Sequence, residues 1–185
     1  MRAVHPNRYI VFFAIAIIGC AADLATKTWM FKRLGMPGSP GKVWWMIQDV
    51  FGFQTSLNEG ALFGMGQGMV SVFAVLSLLA ACGILVWLFY FKAASDWLLT
   101  VALGSVTGGI FGNLYDRLGM PGLIWNYSND LHQTGEPVYA VRDWILVMIG
   151  DWPWPTFNIA DCMLVVGAGL LVWHAFVTNP EETAE

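Results

Sequence analysis

Two aspartates, Asp143 and Asp161, stand beside strongly apolar runs with no lysine within helical reach. Two carboxylates brought together in such surroundings cannot both ionise readily, so one keeps its proton near neutral pH. That division suits the hydrolysis of a peptide bond. The ionised member takes a proton from water as it attacks the carbonyl, while the protonated member polarises the carbonyl and later helps expel the amine. Their spacing in the sequence does not by itself show that they meet.

Other residues offer competing chemistry. Asp23 and Lys27 are four apart, acid first, so on a helix they share a face and can pair. The ordinary reading is a buried ion pair that seats a helix in lipid. A serine and lysine scheme would use Lys27, its pKa depressed by burial, with Ser56 or Ser105 as nucleophile. No serine stands in a recognisable nucleophile motif, and Lys27 already has Asp23, so that scheme ranks below the aspartate pair. Asn113, Asp116 and Arg117 form a polar cluster where an apolar segment ends, and Asp116 is open to two readings. It is either a catalytic acid or a carboxylate held in an anchoring network at a helix end beside Arg117. Cys20, Cys82 and Cys162 all fall inside apolar segments and read as small buried side chains. His5, His132 and His174 are far apart, so neither a metal site nor any other cofactor is expected.

The elements that must position these groups are membrane spans. The chain has 185 residues, 57% hydrophobic and 12% charged, and a mean hydropathy of +0.58, which places it in a bilayer as a single domain over residues 1–185. A hydrocarbon core of ~30 Å needs ~20 mostly apolar helical residues. Tyr9–Phe31, Met69–Phe91, Trp97–Leu114 and Phe157–Val177 supply them, and 178–185 is a polar tail whose Glu181, Glu182 and Glu185 contribute to the net charge of -4. The nine Lys and Arg are scattered, which excludes a nucleic-acid surface. They also fail to orient the bundle by the positive-inside rule. An even number of spans puts both termini on one side, and the cytoplasm is the simpler choice. By parity the end of span one, the start of two, the end of three and the start of four share a membrane face, and the unusual polar residues gather there. Lys42 to Phe63, rich in Trp, Val, Phe and Ile and broken by Gly52 and Gly60, predicts short strands. Trp144 to Ile149 is too short to span and predicts a surface helix lying on or dipping into the membrane. Gly108, Gly109 and Gly112 predict close helix packing.

Five ordered stretches carry a family resemblance: Asp23 to Lys27; Asn58-Glu59-Gly60-Ala61-Leu62-Phe63; Gly108-Gly109 with Gly112-Asn113-Leu114-Tyr115-Asp116-Arg117; Val141-Arg142-Asp143-Trp144; and Phe157-Asn158-Ile159-Ala160-Asp161. In these, over nearly its whole length, the chain resembles the lipoprotein signal peptidases, also called signal peptidase II. The resemblance implies an all-α membrane protein, a four-helix bundle with a small periplasmic β-cradle, acting as an intramembrane aspartyl endopeptidase of the bacterial inner membrane without a metal. By motif its catalytic aspartates correspond to Asp143 and Asp161 rather than Asp116. Asn58, Gly60, Asn113, Arg117 and Asn158 look like the substrate-positioning and supporting residues. The implied substrate is a prolipoprotein carrying diacylglycerol on its lipobox cysteine, cut immediately before that cysteine, and a monomer among membrane lipids is expected.

The alternative to an enzyme is a small channel or proton-coupled transporter, although transporters usually concentrate polar groups near the bilayer midplane. Ile17-Ile18-Gly19-Cys20 also resembles a lipobox, but Asp23 and Lys27 continue the same helix, so Cys20 reads as an ordinary buried cysteine. Leu118 to Ala140, with the turn chemistry of Pro121-Gly122, Ser128-Asn129-Asp130 and Gly135-Glu136-Pro137, is expected to form a loop that folds over the aspartate pair.

Overall fold

The computed structural model describes residues 4–38, 43–60 and 65–178. Arg2, Lys42, the motif residues Ala61, Leu62 and Phe63, and the acidic tail lie outside the described residues.

Among the described residues, four helices are long and apolar enough to cross a membrane: Pro6–Leu34, Val70–Tyr90, Trp97–Arg117 and Ile159–Val177. The first, α1 (Pro6–Leu34), starts where the His5 side chain accepts the N–H of Asn7 and Pro6 occupies a position that needs no donor. It stops at Gly35, whose φ of 84° suits glycine, with Lys32 and Arg33 in the last turn facing the negative end of the helix dipole. It is longer than the hydropathy pattern suggests because these basic residues continue the helix. α2 (Val70–Leu85) runs on through a π-helical turn, Val86–Tyr90, before the chain reverses at Lys92. α3 (Trp97–Arg117) is capped by Asp96, which accepts the Leu99 N–H at 3.0 Å, and extends past Leu114 to include Asp116 and Arg117. α4 is Ile159–Thr178.

α3 is the most buried of these helices, and glycine is the reason. A Cβ on Gly108 would lie 3.0 Å from the Ala16 carbonyl of α1, one on Gly109 2.5 Å from the Ala160 carbonyl of α4, and one on Gly112 2.6 Å from Asp23 Oδ2. Only backbones without side chains between them approach this closely. The outward faces carry Ile10, Ile17, Leu79, Val165 and Phe176, each more than 60% exposed. So large an apolar surface is tolerable against lipid and not against water. Cys82 lies on such a face and is exposed, contrary to the buried position expected of it, because α2 packs along one side only; Cys20 and Cys162 are half-buried.

Between the helices a four-stranded antiparallel sheet runs in the order β1 (Trp44–Ile47), β2 (Phe51–Asn58), β3 (Val141–Ile149) and β4 (Trp152–Pro153). β1 and β2 are the short strands expected from that stretch. β3 corrects the sequence reading: Trp144 to Ile149 is a central strand, not a surface helix, and Val141 to Leu146 are buried. A short unbroken apolar run fits a strand covered on both faces as well as it fits a helix, and here the partners decide. β2 takes its backbone hydrogen bonds, while Met30, Trp44, Phe51, Phe53 and Phe157 pack around Trp144 and Ile145.

Candidate active site

Asp161 is fixed by a local device. Asn158 Oδ1 accepts the Asp161 N–H at 2.9 Å, and Asp161 Oδ2 accepts the Asn158 N–H at 3.1 Å. This reciprocal pair is a capping box closing the first turn of α4. It stations the Asp161 carboxylate among helix-terminal N–H groups that favour negative charge.

Asp143 comes from β3, opposite Ser56 of β2. The register shifts between Phe53 and Ser56, so one extra β2 residue is accommodated just before that pairing. With its oxygen turned to the Asp161 N–H, the Asn158 amide directs Nδ2 towards Asp143 Oδ1 at 2.6 Å and Asn113 Oδ1 at 3.2 Å. Asn113 then donates its own Nδ2 to Asp161 Oδ1 at 2.8 Å. Asn158 thus touches both carboxylates, and Asn113 closes the ring from α3.

Lys27 sets which way Asn113 faces. A lysine ammonium only donates, so Asn113 must turn its oxygen to Lys27 Nζ, 2.9 Å away, which leaves Nδ2 for Asp161. The same ammonium pairs with Asp23 at 2.7 Å and Asp116 at 3.0 Å, all three side chains wholly buried. Asp23 Oδ1 also accepts the Ala160 N–H at 2.9 Å, tying α1 to the start of α4.

Asp116 lies in an anchoring network, but its partners are not those the sequence suggests. Its carboxylate receives Arg142 Nε at 2.8 Å and the Arg142 backbone N–H at 3.1 Å, clamping the start of β3 to the end of α3. The adjacent Arg117 points elsewhere, donating to the Gly60 carbonyl at 3.2 Å. Gly60 N–H in turn bonds Asn58 Oδ1 at 3.0 Å, and the Asn58 side chain hydrogen-bonds Asp143. Arg117 remains close enough to feel the charges of Asp161 and Asp143. Arg142, which the sequence places only beside Asp143, is the member of this network that the sequence reading passes over. Two buried acids and two buried bases are therefore matched next to the aspartate pair, as burial of charge requires.

Burial holds the Asp143 carboxyl well above the usual carboxylate range, and the neighbouring Asp161 charge pushes it further. The hydrogen bond from Asn158, the Lys27 charge and the bond from Asn58 oppose this without cancelling it.

The Leu118 to Ala140 segment is a packed loop. Trp125, Val138 and Ala140 form a small core with Leu57 of β2 and with Met36, and Ile124 bridges to Pro137. His132 stacks on Trp125 with centroids 3.4 Å apart. Glu59, beside Asn58, has its carboxyl pushed up by burial and drawn down by His132, so the loop rests close to the strand end that bears Asn58.

Asp23, Lys27, Asn58, Gly60, Asn113, Asp116, Arg117, Asp143, Asn158 and Asp161 are thus one connected polar cluster. They lie towards one end of the bundle, contributed by the later turns of α1, the end of β2, the closing turns of α3, the start of β3 and the opening turn of α4.

Residues 15–177 match the family described as signal peptidase (SPase) II. A lipoprotein signal peptidase of Rhodopirellula baltica is 49% identical over 178 residues, covering 94% of this chain and 75% of that protein. One of Polynucleobacter necessarius is 33% identical over 180 residues, covering 94% and 91%. A solved bacterial membrane enzyme superposes with a TM-score of 0.73 over 94% of this chain and 93% of its own at 22% identity, which shows the shared helical membrane fold. With a match that spans all four helices and the sheet, the chain belongs to the signal peptidase II family.

Proposed function

We propose that the protein is an aspartyl endopeptidase that removes signal peptides from diacylglyceryl-modified prolipoproteins, cutting immediately before the lipidated lipobox cysteine. The observation that carries this reading is the single asparagine, Asn158, bonded to both Asp143 and Asp161 while burial and Asp161 raise the Asp143 pKa. Asp143 is the protonated acid and Asp161, held by the Asn158 N–H, the Asn113 amide and the N-terminus of α4, is the base. Asp161 takes a proton from water as the water oxygen bonds to the scissile carbonyl carbon, and the proton on Asp143 passes to the carbonyl oxygen. On collapse of the tetrahedral intermediate that proton returns to Asp143, the proton on Asp161 goes to the departing nitrogen, and the C–N bond breaks.

Asn58, Gly60 and Arg117 support the pair from the β2 end, and Asp23, Lys27 and Asp116 hold the helices that carry it. The whole chain acts as one unit in the bacterial inner membrane, monomeric among lipids, with both termini cytoplasmic. The sheet is then a periplasmic cradle for the substrate backbone, and the Leu118 to Ala140 loop clamps the lipobox.

The test is cleavage of a diacylglyceryl-modified prolipoprotein by the purified protein. Asp143→Asn and Asp161→Asn each lower the rate by about 10²–10⁴-fold without unfolding the bundle. The double variant is hardly worse, because the two act as a unit. Substantial cleavage by either folded single variant overturns the assignment.

A further inference from the structure

A cavity opens between the end of α1, the end of α3 with the loop that follows it, and the start of β3, with Arg142 in its wall. It has a volume of about 330 Å³ and is lined by Thr28, Phe31 and Lys32 of α1, Tyr115 of α3, Met120 and Leu123 of the following loop, and Arg142 of β3. Its polar and apolar parts are sorted. Lys32 and Arg142 bring positive charge and Thr28 a hydroxyl, while Phe31, Met120 and Leu123 make an apolar wall.

Arg142 shows what is missing there. Its Nε is taken by Asp116 and its Nη1 by Thr28 Oγ1 at 3.3 Å, and its guanidinium lies over the Phe31 ring. The other amino group, Nη2, is buried and has no hydrogen-bond partner among the described residues, although the residue is only 3% exposed. A guanidinium has only donors, so this amino group is left without an acceptor among the described residues, and a planar fork of this kind suits the oxygens of a phosphate. Lys32, exposed and one turn beyond Thr28 on α1, is a second cation in the cavity wall.

Depth in the membrane narrows the ligand. α1 has 29 residues and at ~1.5 Å per residue outreaches a hydrocarbon core of ~30 Å, so its last turns emerge among headgroups. Trp29, 53% exposed, lies one turn before Lys32 and Arg33, and Arg33 stacks on Trp44 with 4.3 Å between guanidinium and ring centroid. Exposed indole and basic side chains at one level are the mark of the interface. The apolar part of the wall continues onto the lipid-facing surface through Met120, which is 59% exposed.

We propose that this cavity binds the phosphate of an anionic phospholipid, with Lys32 and Arg142 on the phosphate and an acyl chain along Phe31 and Met120. The site is separate from the aspartate pair, so its test does not depend on the proposed cleavage.

The delipidated protein in detergent is titrated with dioleoylphosphatidylglycerol, and the bound lipid is counted by native mass spectrometry. Parallel arms use dioleoylglycerol, which has the chains without the phosphate, and glycerol 3-phosphate, which has the phosphate without the chains. One phosphatidylglycerol per chain is expected to bind with an affinity that falls about fivefold in Lys32→Gln, recovers in Lys32→Arg, and falls again in Met120→Glu, where a carboxylate is placed at the mouth. Dioleoylglycerol does not occupy the site, and glycerol 3-phosphate competes only weakly. Equal phosphatidylglycerol binding by the parent, Lys32→Gln and Met120→Glu overturns the proposal. So does dioleoylglycerol binding as tightly as phosphatidylglycerol. Glycerol 3-phosphate binding as tightly as the lipid would overturn the assignment to a phospholipid in favour of a soluble phosphate. Both variants retain the parent's midpoint of thermal unfolding without lipid, which separates lost binding from lost fold.

Discussion

Asn158 performs two tasks that one pair of substitutions can separate. Its oxygen caps α4 through the Asp161 N–H at 2.9 Å, and its nitrogen bonds Asp143 at 2.6 Å. Asn158→Ser keeps an oxygen able to cap, since Ser and Asn are equivalent at that position, but removes the amide nitrogen. Asn158→Ala removes both. The cap is worth ~1 kcal/mol, within a range of about 0.5–2. The Asn158 bond to the resting, protonated Asp143 is worth ~1 kcal/mol and becomes a bond to a charged group, worth ~1.5–3 kcal/mol, once Asp143 has given up its proton; Asn158 is wholly buried, so solvent does not screen it. Asn158→Ser therefore unfolds ~1 kcal/mol more easily than the parent and, through the part of the bond gained only as Asp143 ionises, ~0.5–2 kcal/mol, loses about 2- to 30-fold in kcat/KM for lipidated substrate. Asn158→Ala loses the same activity and a further ~1 kcal/mol of stability. The pH profile supplies an independent signature. The Asn158 bond pulls the Asp143 pKa down against burial and Asp161, so without it that pKa rises further. The alkaline limb, which marks loss of the Asp143 proton, then moves to higher pH in both variants. Parent activity in Asn158→Ser, or an alkaline limb that stays in place in both, refutes the reasoning.

Stability should itself depend on pH through Asp143: its carboxyl holds a proton more tightly folded than unfolded, so between the ordinary value of ~3.9 and the raised one, stability falls as pH rises. Denaturation of Asp143→Asn across this window should show a flatter profile, and an unchanged slope counts against it. Asp116→Asn leaves Arg142 buried without its anion, and the expected loss is ~3–5 kcal/mol in an unfolding titration, greater than any change in the chemistry of the surviving folded fraction; a stable but inactive protein contradicts this. Replacing Gly119 to Val138 by a short Gly and Ser linker removes Trp125 and Val138 from Leu57 and should raise KM several-fold with the bundle intact, whereas unchanged kinetics in the folded protein leave the loop without a role in binding.

The helices and the polar cluster were legible because charge inside an apolar segment is costly and parity allows few arrangements. Asp23 with Lys27 was legible for a simpler reason, being one turn of helix. The partners of Asp116 were not. Arg117 beside it looks like the obvious cation, but consecutive residues on a helix point about 100° apart, and Arg117 turns to Gly60 while Asp116 finds Arg142 across 26 residues. The strand β3 was misread because six apolar residues without alternation carry no period, and only the presence of β2 alongside chooses strand over helix. The capping box was available in the sequence as Asn158-Ile159-Ala160-Asp161 and needed only to be read as helix punctuation rather than as a motif.

The dependence of this cluster on α4 has a consequence for how the protein is made. Synthesis proceeds from α1, so Lys27, Asn113 and Asp143 are all made before Asn158 and Asp161. Until α4 docks, Asp23 lacks the Ala160 N–H and Asn113 lacks the Asp161 carboxylate. On the proposed mechanism the nascent chain is therefore inert, because it acquires the second carboxylate, Asp161, only with its fourth span. A chain stalled after β3 is left with unmatched polar groups facing the gap that α4 should fill. Those groups are the kind of defect that membrane quality control can recognise, and completion of the fourth span erases it.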